Sequence, residues 1–379
     1  MTENSLFNAP QAPKRSRLAE AFQLFSQNRL AIVGLVIFVL FFMTAVTGVI
    51  LTSGHDPMFD PALVRLQEKL LPPLSRPNLS TLHSHEVPTF GIYLLGTDDL
   101  GRDVFARMLQ GAWVSLTVGF VAVGIAVIVG IFMGGLAGYF GQGGVRYDQL
   151  LAALLLLAGS ILFFLGWTRL GIGLFAAGGG ILTLSLNFRR LENKNPMPAW
   201  LRKNAFSFDT LIMRMVDIML CFPSFFLILT VVALLPASIY NIMIIIGLTS
   251  WMGTTRFVRA EFLSLREQDF VSAAKALGVG NFRIIFRHMM PNAIAPVLVS
   301  STIGIATAIL TEAGLSFLGF GVPPPYATWG NILSDGKRFI FDAPWLTFIP
   351  GVAILIVVLC FNLFGEGLKD ALNPKLRQE

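Results

Sequence analysis

Long stretches without a single charged residue constrain this chain more than any other feature. They run Leu30 to Ser53, Met108 to Val145, Gln149 to Thr168, Leu170 to Phe188, Ile218 to Thr255, Met289 to Thr311 and Ala343 to Gly365. A run of about 18 apolar residues is long enough to cross a bilayer as a helix. The stretch 218–255 is too long for one crossing, and Pro236 falls near its middle, so it reads as two helices with a tight turn. The sum is eight spans. Composition agrees: 13% of the 379 residues are charged, against about 25% in soluble domains. A buried core helix could account for one such run but not for the whole set. The first run is too long for the apolar core of a signal peptide, and no small-residue cleavage site follows it.

Basic residues in short loops set the orientation. Lys14, Arg15, Arg17 and Arg29 favour a cytoplasmic N-terminus. Alternation then places 189–209 inside, with Arg189, Arg190, Lys194, Arg202 and Lys203, and also 256–288, with Arg256, Arg259, Arg266, Lys275, Arg283 and Arg287. The outer segment 54–107 carries Asp56, Asp60, Asp98, Asp99 and Asp103. The outer segment 312–342 carries Glu312, Asp335 and Asp342 against Lys337 and Arg338, and Arg169 is a lone outer exception. The net charge of +6 therefore faces anionic lipid and cytoplasmic partners and calls for no nucleic acid. Cys221 and Cys360 lie in apolar spans and imply no disulfide framework.

The sequence contains no Gly-x-x-x-x-Gly-Lys-Ser/Thr phosphate loop and no His-Glu-x-x-His motif. His83, His85 and Glu86 cluster in one loop, but a metal site needs three or four convergent ligands, and a solvated loop is the favoured reading. Ionisable groups are scarce in the spans. Arg214 and Asp217, three apart, can pair on one helical face, and Glu312 sits near an outer helix end. Their scarcity argues against an ion-coupled carrier, which places such groups at midplane. Gly130, Gly134 and Gly138 repeat every four residues, and Gly171, Gly173, Gly178, Gly179 and Gly180 crowd the fourth span. Small residues at that spacing favour close helix packing over a substrate-lining face.

Residues 256–292 read RFVRAEFLSLREQDFVSAAKALGVGNFRIIFRHMMPN. Arg259 to Leu277 can form a helix, Gly278 and Gly280 break it, Asn281 to Met289 can form a second short helix, and Pro291 marks the return to the membrane. The spacing predicts a basic helix–turn–helix projecting from the membrane. Its Ser-Ala-Ala-x-x-x-Gly, followed after a gap by His-x-Met-Pro-Asn, resembles the cytoplasmic coupling loop of bacterial ATP-binding-cassette importers. Ser272 stands where that family usually has Glu, and Met290 where it usually has Leu. LGTDDLGRDVFARMLQGAWVSL from Leu95, AGYFG around Tyr139, LSFLGFGVPPPYATWGNILSDGKR from Leu315, APWLTFIPGVAIL and FNLFGEGLKDALNPK complete the likeness. Together they resemble the second, C-type permease subunit of the dipeptide/oligopeptide and nickel importers. Trp113 replaces an Arg common in relatives. Gly143 to Phe206 departs from the pattern, since relatives pass directly from AGYFG to a segment like 208–224.

The resemblance implies an all-α polytopic membrane protein: a six-helix type I importer permease core plus an inserted two-helix hairpin. The expected organisation is a cytoplasmic N-terminal tail (1–29), a first transmembrane helix (30–53), an extracytoplasmic segment (54–107) and a second helix (108–142). An inserted hairpin with a basic cytoplasmic loop (143–207) follows, then a permease core (208–365) holding the coupling loop (256–292), and a cytoplasmic tail (366–379). The resemblance further implies a bacterial inner-membrane heterodimer with a sister permease, two cytoplasmic ATPases and an extracytoplasmic binding protein. ATP and Mg would sit on the ATPases, with no cofactor and no catalytic residue on this chain. Ala273, Ala274 and Gly278 would shape the loop, Phe282, Arg283 and Arg287 would dock, and Pro291 would close the coupling segment. Peptides, nickel and other small solutes stay open as cargo, as do a stand-alone channel or carrier and a membrane enzyme using His83, His85 and Glu86.

Overall fold

A computed structural model describes residues 23–54, 57–80, 82–83, 86–141, 144–187, 198 and 204–372. The helices within them are α1 (Arg29–Thr52), α2 (Val104–Phe140), α3 (Tyr147–Phe164), α4 (Thr168–Asn187), α5 (Phe208–Leu220), α6 (Ser224–Leu234), α7 (Ile239–Leu248), α8 (Trp251–Arg266), α9 (Asp269–Ala276), α10 (Asn281–Phe317), α11 (Trp329–Gly336) and α12 (Trp345–Leu372). The architecture is all-helical apart from a short antiparallel ribbon, β1 (Gly144–Arg146) with β2 (Asn204–Ser207), in which Gly144 faces Ser207. The basic residues Lys14, Arg15, Arg17, Arg189, Arg190, Lys194, Arg202 and Lys203, together with His85 and Asp56, lie outside the described residues.

Helices occupy all eight expected apolar segments, but among the described residues fewer than eight are long enough to cross, and 218–255 is broken at 221–223 and 249–250 as well as around Pro236. Among the described residues, α1, α2, α3, α10 and α12 are long and apolar enough to cross a membrane, and α5 with α6 forms a sixth candidate bent by 81°. Pro223, at the N-cap of α6, lacks an N–H and interrupts the helix there. The chain turns at 235–238, where Pro236 predicts it. Between α7 and α8 the Thr249 and Ser250 hydroxyls donate to the Ile245 and Ile246 carbonyls, offering the backbone an alternative to a continuous helix.

The chain divides into two compact units. The first comprises 1–129, 222–254 and 294–379. Here α1 packs along α12 at small residues: a Cβ on Gly34 would lie 3.0 Å from the Leu363 side chain, and one on Gly367 2.1 Å from the Ala31 Cβ. Asn28 starts α1 by accepting from the Leu30 and Ala31 N–H groups at 3.1 and 3.2 Å, as an N-cap should. The core gathers Val118, Ile242, Ile246, Ile309, Leu315 and Trp329, all essentially buried. Helix α11 is held into it by a capping box. Thr328 Oγ1 accepts from the Asn331 N–H, and the Asn331 side chain accepts from the Thr328 N–H. Glu312 is fully buried beside this cap. Ser316 Oγ donates to it at 2.7 Å and Ser115 Oγ lies 3.4 Å away, so its oxygens meet hydroxyls in place of water.

The second unit comprises 130–221 and 255–293. Its part of α2 packs on α8 through glycine: a Cβ on Gly134 would lie 2.6 Å from the Thr255 carbonyl oxygen, and one on Gly138 2.5 Å from the Phe262 Cβ. The same chemistry joins α3 to α4, where Gly159 meets Gly171 and Gly178 meets Ala152, whereas Gly173, Gly179 and Gly180 have open space around them. The ribbon is the neck of this hairpin. Asp217 pairs with Arg256 at 2.9 Å, not with Arg214 as the three-residue spacing suggests, because α8 brings a guanidinium alongside α5. Two more expectations change. The helix expected from Arg259 to Leu277 breaks at Glu267 and Gln268 into α8 and α9. Pro291 does not end a helix: α10 runs unbroken from Asn281 to Phe317, with a π-helical turn over Ile284–Met289 just before the proline. The widened turn suits a residue that has no N–H to donate.

Candidate functional site

The segment from α8 to the start of α10 is built from short pieces with different exposures. Helix α9 is eight residues long, with Asp269 in its first turn and Lys275 in its last, an arrangement that complements the helix dipole. Val271 and Ala274 face inward and are buried, while Ser272 and Ala273 are exposed. The two alanines grouped in the sequence therefore do different things: Ala274 packs and Ala273 presents surface. Helix α9 ends at Gly278, whose φ is +74°. The Gly278 N–H donates to the Lys275 carbonyl and the Val279 N–H to the Ala274 carbonyl, closing the helix with a left-handed residue that glycine adopts without strain.

Beyond Gly278 the first turns of α10 bury Ile284, Ile285 and Met289. Phe282, Arg283, Phe286 and Arg287 face outward, as does Leu277 before the turn. The Phe282 and Phe286 rings lie 4.5 Å apart and form one aromatic plate flanked by the two arginines. Phe282, Arg283 and Arg287 are thus exposed, as are Gly278 and Ala273. Pro291 is also exposed but sits further along α10. Sequence reasoning missed Phe286 and Leu277. The four-residue spacing from Phe282 to Phe286 carried the signal for the first.

This face is tied into its own unit by polar contacts. The Arg259 guanidinium grips the Asp209 carboxylate through Nε and, at 2.7 Å, through Nη2, a two-pronged geometry that fixes orientation. Tyr139 Oη donates to Asn281 Oδ1 at 2.8 Å. The Lys275 ammonium lies 5.4 Å from the Tyr139 ring centroid.

In the first unit, the segment before α2 holds a second polar constellation. Asp98 is completely buried. Its Oδ1 accepts from the Leu100 and Arg102 N–H groups, and its Oδ2 accepts from Arg102 Nε at 2.7 Å and Arg107 Nη1 at 2.5 Å. Asp335 accepts from the same two arginines at 3.2 and 2.9 Å. Burial raises the pKa of Asp103 against the N–H of Phe105, which its side chain accepts. Burial, then neighbouring Asp98 and Asp335, raises that of Asp99. Tyr93 is pushed up to about 12, chiefly by burial. A cavity of about 670 Å³ opens beside Arg102, Asp335 and Tyr326. In the loop before it, the His83 N–H donates to Glu86 Oε2 at 2.9 Å. Among the described residues, no three His, Cys, Asp or Glu side chains converge as metal ligands.

Residues 196–378 match the family of binding-protein-dependent transport system inner membrane components. Residues 16–73 match the N-terminal transmembrane domain of oligopeptide transport permease C. The chain is 36% identical to a dipeptide transport system permease protein, DppC, of Alkalihalophilus pseudofirmus, over 94% of this chain and 90% of that protein. It belongs to the C-type permease subunits of the dipeptide/oligopeptide ATP-binding-cassette importers. It is 32% identical to a dipeptide permease of Haemophilus influenzae over the whole of both chains. It is 31% identical to an oligopeptide permease, OppC, of Bacillus subtilis over all of this chain and 98% of the other. This permease is accordingly a multi-pass inner-membrane transport subunit. Neither family match reaches 74–195, the stretch that holds α2, α3 and α4.

Proposed function

We propose that this permease forms half of the path of an ATP-driven importer of di- and oligopeptides, and that the loop around Gly278 carries the coupling. The exposed pair of Phe282 and Phe286 rings, with exposed Leu277, Arg283 and Arg287 close by in sequence, carries this reading. Large apolar side chains at a turn, with arginine beside them in sequence, suit a protein partner better than lipid or water, since aromatic residues and Arg anchor interfaces. The partners are a sister permease, two ATPases that bind ATP and Mg, and an extracytoplasmic binding protein. The peptide cargo follows the printed names of the relatives. The N- and C-termini and the 256–292 loop lie in the cytoplasm, and 54–107 lies outside. Ala274 and Gly278 set the loop's shape. Ala273, Phe282, Arg283 and Arg287 meet the ATPase, and Pro291 follows the π-helical turn that leads into the span. ATP binding closes the ATPase pair, and the docked loops move the helices with it. ATP can shift this equilibrium only by binding one state more tightly than the other. The inserted hairpin is peripheral to the path.

Gly278→Trp tests the coupling role. Apart from its chain neighbours, a Cβ at Gly278 meets none of the described residues within 4 Å, so an indole there would project outward and obstruct the partner. Peptide uptake per ATP hydrolysed should fall by about tenfold, the equivalent of roughly 1.4 kcal/mol of lost docking, with membrane insertion unchanged. Uptake at the wild-type ratio would remove the loop from the mechanism.

A further inference from the structure

Tyr139, near the end of α2, contacts both helices that flank Gly278. It is 7% exposed. Its hydroxyl donates to Asn281 in the first turn of α10, and its ring face receives Lys275 from the last turn of α9. Nothing in the packing of α2 requires a hydroxyl there. Gly134 and Gly138 already seat this part of α2 on α8 through Val258 and Phe262, both fully buried. The apolar side of the turn is closed by Val271, Ala274, Ile284 and Ile285, all buried. Helices α9 and α10 meet at a left-handed glycine whose added Cβ would find open space.

We propose that Tyr139 is a positioning residue that locks the α9–α10 angle to the end of α2, so that displacement of the loop reaches that helix. The inference rests on the coupling role of the loop proposed above. The Tyr139 ring alone, contacting Lys275, orients α9; the hydroxyl adds α10. Removing the hydroxyl leaves the loop folded and able to dock, but leaves α10 free to turn against α2. Hydrolysis then proceeds while less of each stroke reaches the membrane helices. A merely structural tyrosine would instead lower the amount of folded protein and leave the stoichiometry of the surviving molecules alone.

The experiment measures peptide uptake per ATP hydrolysed in proteoliposomes holding the complete transporter, for Tyr139→Phe, Asn281→Ala, the double variant and Gly278→Trp. Phe keeps the ring, and Asn281 is exposed, so neither single change threatens the fold. Each single variant should lose about fivefold in the ratio, the effect of one net hydrogen bond. The double variant should lose no more than either, because both remove the same contact. A wild-type ratio in either single variant, or losses that multiply in the double variant, would overturn the inference. If Gly278→Trp is uncoupled while the Tyr139 and Asn281 variants are normal, only the role of Tyr139 falls. If Gly278→Trp is also normal, the coupling reading falls and the inference falls with it.

Discussion

Asp98→Ala should cost this permease about 3–5 kcal/mol of stability, the usual price of stripping one partner from a buried ion pair. Asp98 has no exposed surface and Arg107 only 3%. Removing the carboxylate would leave two guanidinium groups facing Asp335 alone, itself 34% exposed. It would also free the Leu100 and Arg102 N–H groups that Asp98 Oδ1 holds at 2.9 Å. The loss should appear as a lower melting temperature of the purified subunit in detergent and a lower level in the membrane. Asp98→Asn should recover part of it, since an amide oxygen can still accept from the two backbone groups. Equal stability of Asp98→Ala and the wild type would show that the four-charge cluster is not what holds this segment.

The second large effect is expected at Gly101, two residues before the Asp103 that caps α2. Its φ is +72°, and an added Cβ would lie 1.8 Å from the Arg65 carbonyl oxygen. The Arg65 N–H in turn donates to the Leu100 carbonyl at 3.0 Å, so the two strands of chain are pinned against each other. Gly101→Ala adds left-handed strain of about 1–2 kcal/mol to an overlap with backbone that cannot rotate away. The variant should accumulate poorly and melt well below the wild type. Gly278→Ala, at a similar φ but with open space around it, should show only the strain. Comparing the two melting temperatures separates clash from strain, and similar losses would refute the role assigned to the Arg65 contact.

Much of the fold was legible because lipid imposes a simple rule. Charge-free runs mark helices, and four-residue glycine spacing marks close approach, as Gly134 and Gly138 show against α8. The breaks were harder to read. Pro223 and Pro291 look alike in sequence, yet one bends the chain by 81° and the other follows a π-helical turn in a continuous helix. The outcome depends on what the preceding turn can do, which no local pattern encodes. The loop residues Phe282, Arg283 and Arg287 were singled out beside the resemblance, and all three are exposed. Tyr139 was visible only as part of AGYFG, because its partners Lys275 and Asn281 lie more than a hundred positions away. The carboxylates of 54–107 and 312–342 were counted as topology markers. Their pairing with Arg102 and Arg107 depends on α11 carrying Asp335 to them, which a charge count does not contain.

The measurement closest to the central claim is labelled dipeptide uptake into proteoliposomes, with this permease reconstituted alone and then with its sister permease, ATPases and binding protein. Uptake is expected only from the complete assembly supplied with ATP on the ATPase side, and none from the single chain. Dipeptide flux through this chain alone, or flux undiminished when the ATPases are left out, would contradict it.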